Sequence, residues 1–225
     1  MHTVVILHGW GQSKASWQGA FESVPDMYVV ALDLPGFGAE PLPPAIGSEW
    51  GILEYAAWVR EKIESESLQS VILLGHSFGG RIAAHIASER PQWLRALILY
   101  AAPCVYRPSV EVTFKKKIAS VANLFGLKGK YRGNTELVEA DSRGLGGIYR
   151  RVVNFDQTAA LKKIAVPTLL LWGEKDVDVP LRIAREMQSL IPASRLEILP
   201  GLGHNAHIEN PNLLYGVVKK YIHTF

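Results

Sequence analysis

Val71-Ile72-Leu73-Leu74-Gly75-His76-Ser77-Phe78-Gly79-Gly80-Arg81 sets the architecture of this chain. Four apolar residues run into a glycine, one serine comes next, and a glycine pair opens the next segment. Beyond it Ile82, Ala83, Ile86 and Ala87 fall at helical spacing. Gly-x-Ser-x-Gly between a strand and a helix is the pattern of a nucleophile elbow. There the serine sits in a strained turn that lifts its hydroxyl out of the sheet. Side chains at positions 75 and 79 would crowd that turn, and glycine removes the clash. The helix begins at the serine, so its free N–H groups and positive dipole end face a developing oxyanion. The five-residue pattern also occurs in ordinary strand-to-helix turns. The flanking buried strand and helix are what give it meaning.

On either side of this stretch, strand and helix alternate. Thr3–Leu7 is a continuous apolar run, as in a parallel strand buried on both faces. It stops at His8-Gly9-Trp10-Gly11-Gln12-Ser13, where Ser13 can cap a short helix through Trp17 to Phe21. A second strand, Tyr28–Leu32, ends at Asp33-Leu34-Pro35-Gly36-Phe37-Gly38. A helix is expected from about Glu49 to Glu66, and the elbow helix from Ser77 to about Arg90. Strand Ala96–Tyr100 is next. The rhythm breaks after Pro103. Residues 104–161 read as a helical lid inserted into a core formed by 1–103 and 162–225, with glycine-rich breaks at Gly126–Gly133 and Gly144–Gly147. Alternation resumes with strand Pro167–Trp172, helix Leu181–Leu190, strand Arg195–Leu199 and a last helix from Pro211 to Tyr221. Asn210 and Pro211 make a cap and first helical position. The expected class is therefore α/β, with a mostly parallel sheet flanked by helices.

The chain of 225 residues suits one domain with an insertion. One cysteine, Cys104, excludes an internal disulfide framework and a cysteine-based metal site. A small buried residue is the reading for it, and the count fits a reducing compartment. Met1 leads straight into a strand without a basic start or cleavage site, and no apolar run approaches the ~20 residues that span a bilayer. The expectation is a cytoplasmic protein. A net charge of +3 is too small to argue nucleic-acid binding. Residues 104–163 carry 12 Lys and Arg against 5 Asp and Glu, while the rest of the chain carries 12 against 16. A solvated helical face explains this, and so does steering of an anionic substrate or acidic partner.

A serine nucleophile needs a base, and the base needs an orienting carboxylate. In an open parallel sheet such groups collect beyond the carboxyl ends of strands. After Trp172 comes Gly173-Glu174-Lys175-Asp176-Val177-Asp178-Val179-Pro180. After Leu199 and a short turn comes Gly203-His204-Asn205-Ala206-His207-Ile208-Glu209. The order Ser, Asp, His is the one expected for an elbow of this kind.

These motifs resemble the α/β-hydrolase superfamily over nearly the whole chain. The resemblance rests on His8-Gly9-Trp10-Gly11, Asp33-Leu34-Pro35-Gly36-Phe37-Gly38, Gly75-His76-Ser77-Phe78-Gly79-Gly80, Gly173 with Asp176 and Pro180, and Gly203-His204 with Glu209 and Pro211. The first two stretches are also similar to the biotin-pathway carboxylesterases, which cleave a methyl ester from an acyl carrier protein. The resemblance implies Ser77 as nucleophile, His204 as base and Asp176 as its orienting acid. It also implies the backbone N–H groups of Trp10 and Phe78 as the oxyanion hole. Asp178 and Glu174 compete for the acid, and His207 for the base. His76 and His85 read as structural, Asp33 as fixing its own turn, and Asp156 as either structural or facing the lid. His8 reads as shaping its loop. Residues placed to line a substrate are His8, Gly9, Tyr106, Phe125 and Tyr149, although aromatic lid residues also serve to pack a lid on a core.

The family usually has two antiparallel strands before the His-Gly strand. This chain lacks them, which predicts about six strands and an exposed edge near the amino terminus. Ala39 and Glu40 stand where the family often has serine. The resemblance implies a serine hydrolase of carboxylic esters working through an acyl-enzyme, with no metal or organic cofactor. Lactone or carbon–carbon hydrolysis would use the same three residues. A receptor that kept the fold without turnover is the reading from another class. The expected partner is a small-molecule ester, and an acidic acyl carrier protein could dock on the basic insertion.

Overall fold

The computed structural model describes residues 2–18, 27–43, 50–107 and 135–224. Six strands form one sheet: β1 (His2–Leu7), β2 (Met27–Leu32), β3 (Val71–His76), β4 (Leu94–Tyr100), β5 (Thr168–Gly173) and β6 (Ser194–Leu199). Every neighbouring pair is parallel, in the order β2-β1-β3-β4-β5-β6. The six-stranded parallel sheet is thus as the sequence predicts.

Successive strand residues point to opposite faces. Here both faces are buried, which is why the strands read as unbroken apolar runs. Val5, Leu7, Leu73, Leu97, Leu99, Leu170 and Trp172 pack on one side with helices α1 (Ile52–Ser65) and α2 (Phe78–Ser88). Val4, Ile6, Ile72, Leu74, Ile98, Leu169 and Leu171 pack on the other side with Trp17 and the last helix. The edge near the amino terminus falls to β2, because β1 lies between β2 and β3. Tyr28 on that edge is 47% exposed.

Between β4 and β5 the described residues form α3 (Thr135–Ser142), α4 (Gly146–Asn154) and α5 (Thr158–Leu161). Phe114, Val121, Leu124, Phe125 and the Gly126–Gly133 stretch lie outside the described residues, as do Phe21 and Glu49. Gly144 does end α3, with a φ of +73° that L side chains rarely adopt. Ala140, Leu145, Ile148, Tyr149 and Val152 are buried in the same core as α1 and α2. Buried Arg81 on α2 fastens this insertion from below, donating to the carbonyls of Val152 and Phe155, each at 3.0 Å.

The chain closes with α6 (Leu181–Leu190), α7 (Ala206–Glu209) and α8 (Pro211–Ile222). Asn210 Oδ1 accepts from the Leu213 N–H at 3.1 Å, and Pro211 takes the first helical position, as expected. Ser13 also caps as expected, its Oγ accepting from the Ala15 N–H, but the helix it starts is a single 3-10 turn, Lys14–Trp17.

α2 starts hard against the end of β1. The Gly79 N–H donates to the His8 carbonyl at 3.1 Å. A Cβ on Gly79 would stand 2.3 Å from the Leu7 carbonyl oxygen, and one on Gly75 would stand 2.4 Å from that of Gly79. Both contacts are with backbone, so no side chain can swing aside. Gly79→Ala is expected to cost about 3 kcal/mol or more, at or above the upper end of ordinary overpacking. Urea unfolding checks this, and an unchanged midpoint would refute the close approach.

Candidate active site

Ser77 joins β3 to α2 with φ 49° and ψ −108°. Few non-glycine residues adopt a positive φ, and holding one there takes a structure that over-determines the turn. The Ser77 N–H donates to Tyr100 O at 2.9 Å, and its carbonyl accepts from Arg81 N–H at 3.2 Å. The turn is therefore clamped by β4 on one side and by α2 on the other. Among the described residues the Ser77 hydroxyl makes no hydrogen bond.

Two backbone N–H groups border this turn: Phe78 follows Ser77 in the chain, and Trp10 lines the same cleft as Ser77. Phe78 is the first residue of α2, so its N–H has no partner within the helix. Trp10 sits at the top of the loop after β1. Neither N–H has a hydrogen-bond partner among the described residues. The Trp10 indole is wedged edge-on among Phe37, Phe78 and Tyr149, with ring centroids 5.0–5.2 Å apart. That packing holds the loop in place.

Asp176 and His204 meet on the loops after β5 and β6. His204 Nδ1–H donates to Asp176 Oδ2 at 2.8 Å. The other Asp176 oxygen accepts from the N–H groups of Asp178 and Val179, at 3.0 and 2.8 Å. Burying a carboxylate is costly unless its lone pairs are matched, and here three N–H donors match them. The three carboxylates differ in their partners. Glu174 turns away to accept from Gly201 N–H at 2.8 Å. Asp178 stays exposed beside the pair, and one donor atom from each of Asp176, Asp178 and His204 lies within 4.8 Å of the others. Oδ2 of Asp176 is engaged by His204 Nδ1–H and Oδ1 by the two backbone N–H groups.

His207 is buried away from the cleft. Its ring stacks on Trp17 at 4.7 Å, and its Nε2 has no partner among the described residues. His76 lies between the two, fully buried, with ring centroids 4.9 Å from His204 and 4.7 Å from His207. Burial, with repulsion from the neighbouring imidazoles, holds His76 well below the usual histidine range and His207 down to about 4.

Gly9, Trp10, Gln12, His76, Ser77, Glu136, Asp178, His204 and Asn205 line one cleft of roughly 100 Å³. Of the residues expected to line a substrate, Gly9 is here and Tyr149 is adjacent, its hydroxyl donating to Glu136 at 2.8 Å. His8 is buried beneath, donating from Nδ1 to Gly9 O and accepting at Nε2 from Leu34 N–H. Tyr106 lies apart, its N–H bound by Asp156. Phe125 lies outside the described residues. Asp33 fixes its own turn, accepting from Lys14 and Ala39 N–H groups. Asp156 likewise holds Tyr106 and Thr158. Burial drives the Cys104 thiol up to about 12, so it is inert. Gln12, Asn205 and Glu136 have no motif signal. Only the folded chain brings them to the cleft.

Residues 4–216 match the model of the alpha/beta hydrolase family, and the chain belongs to it. A putative 2-succinyl-6-hydroxy-2,4-cyclohexadiene-1-carboxylate synthase of Bacillus subtilis is 27% identical, covering 97% of this chain and 89% of its own. A pimeloyl-[acyl-carrier protein] methyl ester esterase of Aeromonas hydrophila is 26% identical, covering 97% and 94%. Among solved structures, a serine hydrolase involved in carbazole degradation superposes with a TM-score of 0.78 at 23% identity, over 100% of this chain and 92% of that one. MenH from S. aureus superposes with a TM-score of 0.75 at 22% identity, over 99% and 94%. The two structural likenesses establish the fold alone.

The buried histidines set a pH dependence of stability. Their folded pKa values lie below the unfolded 6.5, so between those values the unfolded chain binds more protons. Stability is expected to be full above pH 6.5 and to fall as pH drops, down to about 4 for His207. Urea midpoints at pH 7.5, 6 and 5 test this. His207→Phe, which keeps a ring against Trp17, should flatten the profile, and an equally steep profile would count against the assignment.

Proposed function

We propose that this chain is a serine hydrolase that cleaves carboxylic esters through an acyl-enzyme. The observation that carries the reading is the buried Asp176–His204 pair, 2.8 Å apart, opening on the same cleft as the strained Ser77. His204 Nε2 takes the Ser77 proton as Oγ attacks the ester carbonyl. Trp10 and Phe78 N–H groups receive the negative charge that develops on the carbonyl oxygen. The imidazolium, stabilised by Asp176, then protonates the leaving alcohol. Water repeats the sequence on the acyl-Ser77 ester and frees the acid.

Within the insertion, residues 135–161 act as a lid of this site. Tyr149 rests on Trp10, and Arg143 donates to Gly36 O at 2.8 Å while its guanidinium lies 5.2 Å from the Phe37 ring centre. Both contacts seat the insertion on the loops that surround Ser77.

Hydrolysis of p-nitrophenyl acetate tests the reading. Ser77→Ala and His204→Ala should abolish serine-dependent release. Asp176→Asn should lower kcat by about 10⁴, because the imidazole loses its required tautomer. Asp178→Asn should lower it by less than about tenfold, since its carboxylate makes none of these hydrogen bonds. Release that survives Ser77→Ala unchanged would defeat the proposal. Equal losses at 176 and 178 would reassign the acid.

A further inference from the structure

Gln12 sits three residues beyond Gly9 in the loop after β1 and belongs to none of the motifs. Yet its side chain spans the two loops that a hydrolytic site must hold in register. Its Oε1 accepts the Gly9 N–H at 3.2 Å, and its Nε2–H donates to Asn205 Oδ1 at 3.0 Å. The Gly9 N–H can only donate, which fixes the amide with oxygen toward Gly9 and nitrogen toward Asn205. The Gln12 backbone N–H returns to the Gly9 carbonyl at 3.2 Å, closing a turn with Trp10 at its top. Asn205 directly follows His204 and caps α7, its carbonyl accepting from Ile208 and Glu209 N–H groups. Gln12 is therefore a strut between the loop carrying one oxyanion donor and the loop carrying the base.

A buried floor supports it. His76 Nδ1 lies 3.3 Å from Gln12 Oε1, and His76 Nε2 lies 3.0 Å from the His204 carbonyl oxygen. The Tyr100 hydroxyl donates to that same carbonyl at 2.8 Å. A neutral imidazole has one N–H, so His76 donates to one of its two acceptors at a time, and Tyr100 keeps the carbonyl satisfied either way. Gly9 is glycine for the same reason: a Cβ there would stand 2.8 Å from His76 Nδ1 and 3.2 Å from Gln12 Oε1.

We propose that Gln12 is a positioning residue, setting the Trp10 N–H at a fixed distance from the His204 imidazole through its bonds to Gly9 and Asn205. The inference rests on the esterase reading. Displacing a reacting group by about 1 Å costs on the order of 10²-fold in rate, so losing the strut should act on turnover rather than on affinity.

The test uses the full chain with p-nitrophenyl acetate, and active sites counted by a fluorophosphonate. Gln12→Met keeps the length and removes both bonds. It should lower kcat per titrated site by ~10–100-fold with KM within about twofold. Affinity for a trifluoromethyl ketone that mimics the tetrahedral adduct should fall in parallel. Asn205→Ala cuts the strut from its far end and should give the same kcat-only loss. The double variant should lose less than the product of the two. Gln12→Glu keeps the acceptor for Gly9, and Asn205 can turn its amide to donate, so this variant should recover most of the rate. An unchanged kcat, a loss confined to KM, or a Glu variant as poor as Met would overturn the proposal. Failure of Ser77→Ala to reduce wild-type hydrolysis would defeat the esterase reading itself. An active wild type matched by Gln12→Met would defeat only the role of Gln12.

Discussion

The contact on which the rest depends is backbone on backbone: the first turn of α2 pressed against the carboxyl end of β1. Gly79 donates to the His8 carbonyl, and no atom larger than hydrogen fits between them. That contact brings two strand-end loops, distant in sequence, to within a few ångströms of each other. It also leaves the Phe78 and Trp10 N–H groups unpartnered among the described residues. Phe78 lies in the first turn of α2, where an N–H has no partner within the helix. The positive φ at Ser77 is a consequence of the same approach, because a relaxed turn would carry α2 away from β1.

The Asp176–His204 pair answers the opposite problem. A carboxylate taken out of water loses its solvation, and one ion pair rarely compensates. Asp176 is matched instead by three donors, two from the backbone of its own turn and one from His204. Its two neighbouring rivals illustrate the difference. Asp178 is two residues on, exposed, and reaches the site without gaining an N–H. Glu174 is two residues back and is spent on Gly201. Among three carboxylates in five residues, one fits the turn that makes a buried acid tolerable.

The same physics governs what could be read from the chain. Strands buried on both faces show as apolar runs, and residues just beyond them collect at one rim, so the sheet and the order of serine, acid and histidine were legible from pattern, whereas the choice of Asp176 over Asp178 and Glu174, and of His204 over His207, rested on the resemblance to the α/β-hydrolase superfamily. Boundaries were less so. β3 runs to His76 and β4 starts at Leu94 because ladder bonds extend past the apolar cores of those strands. The turn after Ser13 stops at Trp17, whose ring is claimed by His207, a partner 190 positions away in sequence. Gln12 and Asn205 are separated by 193 residues and obey no period. Polar contacts between loops arise from the fold, so they leave no trace in spacing.

The charge on the insertion looks different once its partners are known. Of the 12 basic residues between 104 and 163, six are described, and Arg107, Arg143 and Arg150 among them are engaged by neighbours on the surface. Arg150 pairs with Asp141 at 3.0 Å, Arg107 with Glu186, and Arg143 donates to Gly36 O. The two ion pairs add little stability, about 0–1 kcal/mol each, and each offsets one positive charge locally. The described cleft wall itself carries Asp178 and Glu136. Residues 108–134 contribute 6 basic residues against 1 acidic. Most of the excess positive charge of residues 104–163 therefore lies in that segment. It would act on encounter, where salt screens it within about 10 Å. The Asp176–His204 contact rests instead on a short, largely buried hydrogen bond that salt screens far less.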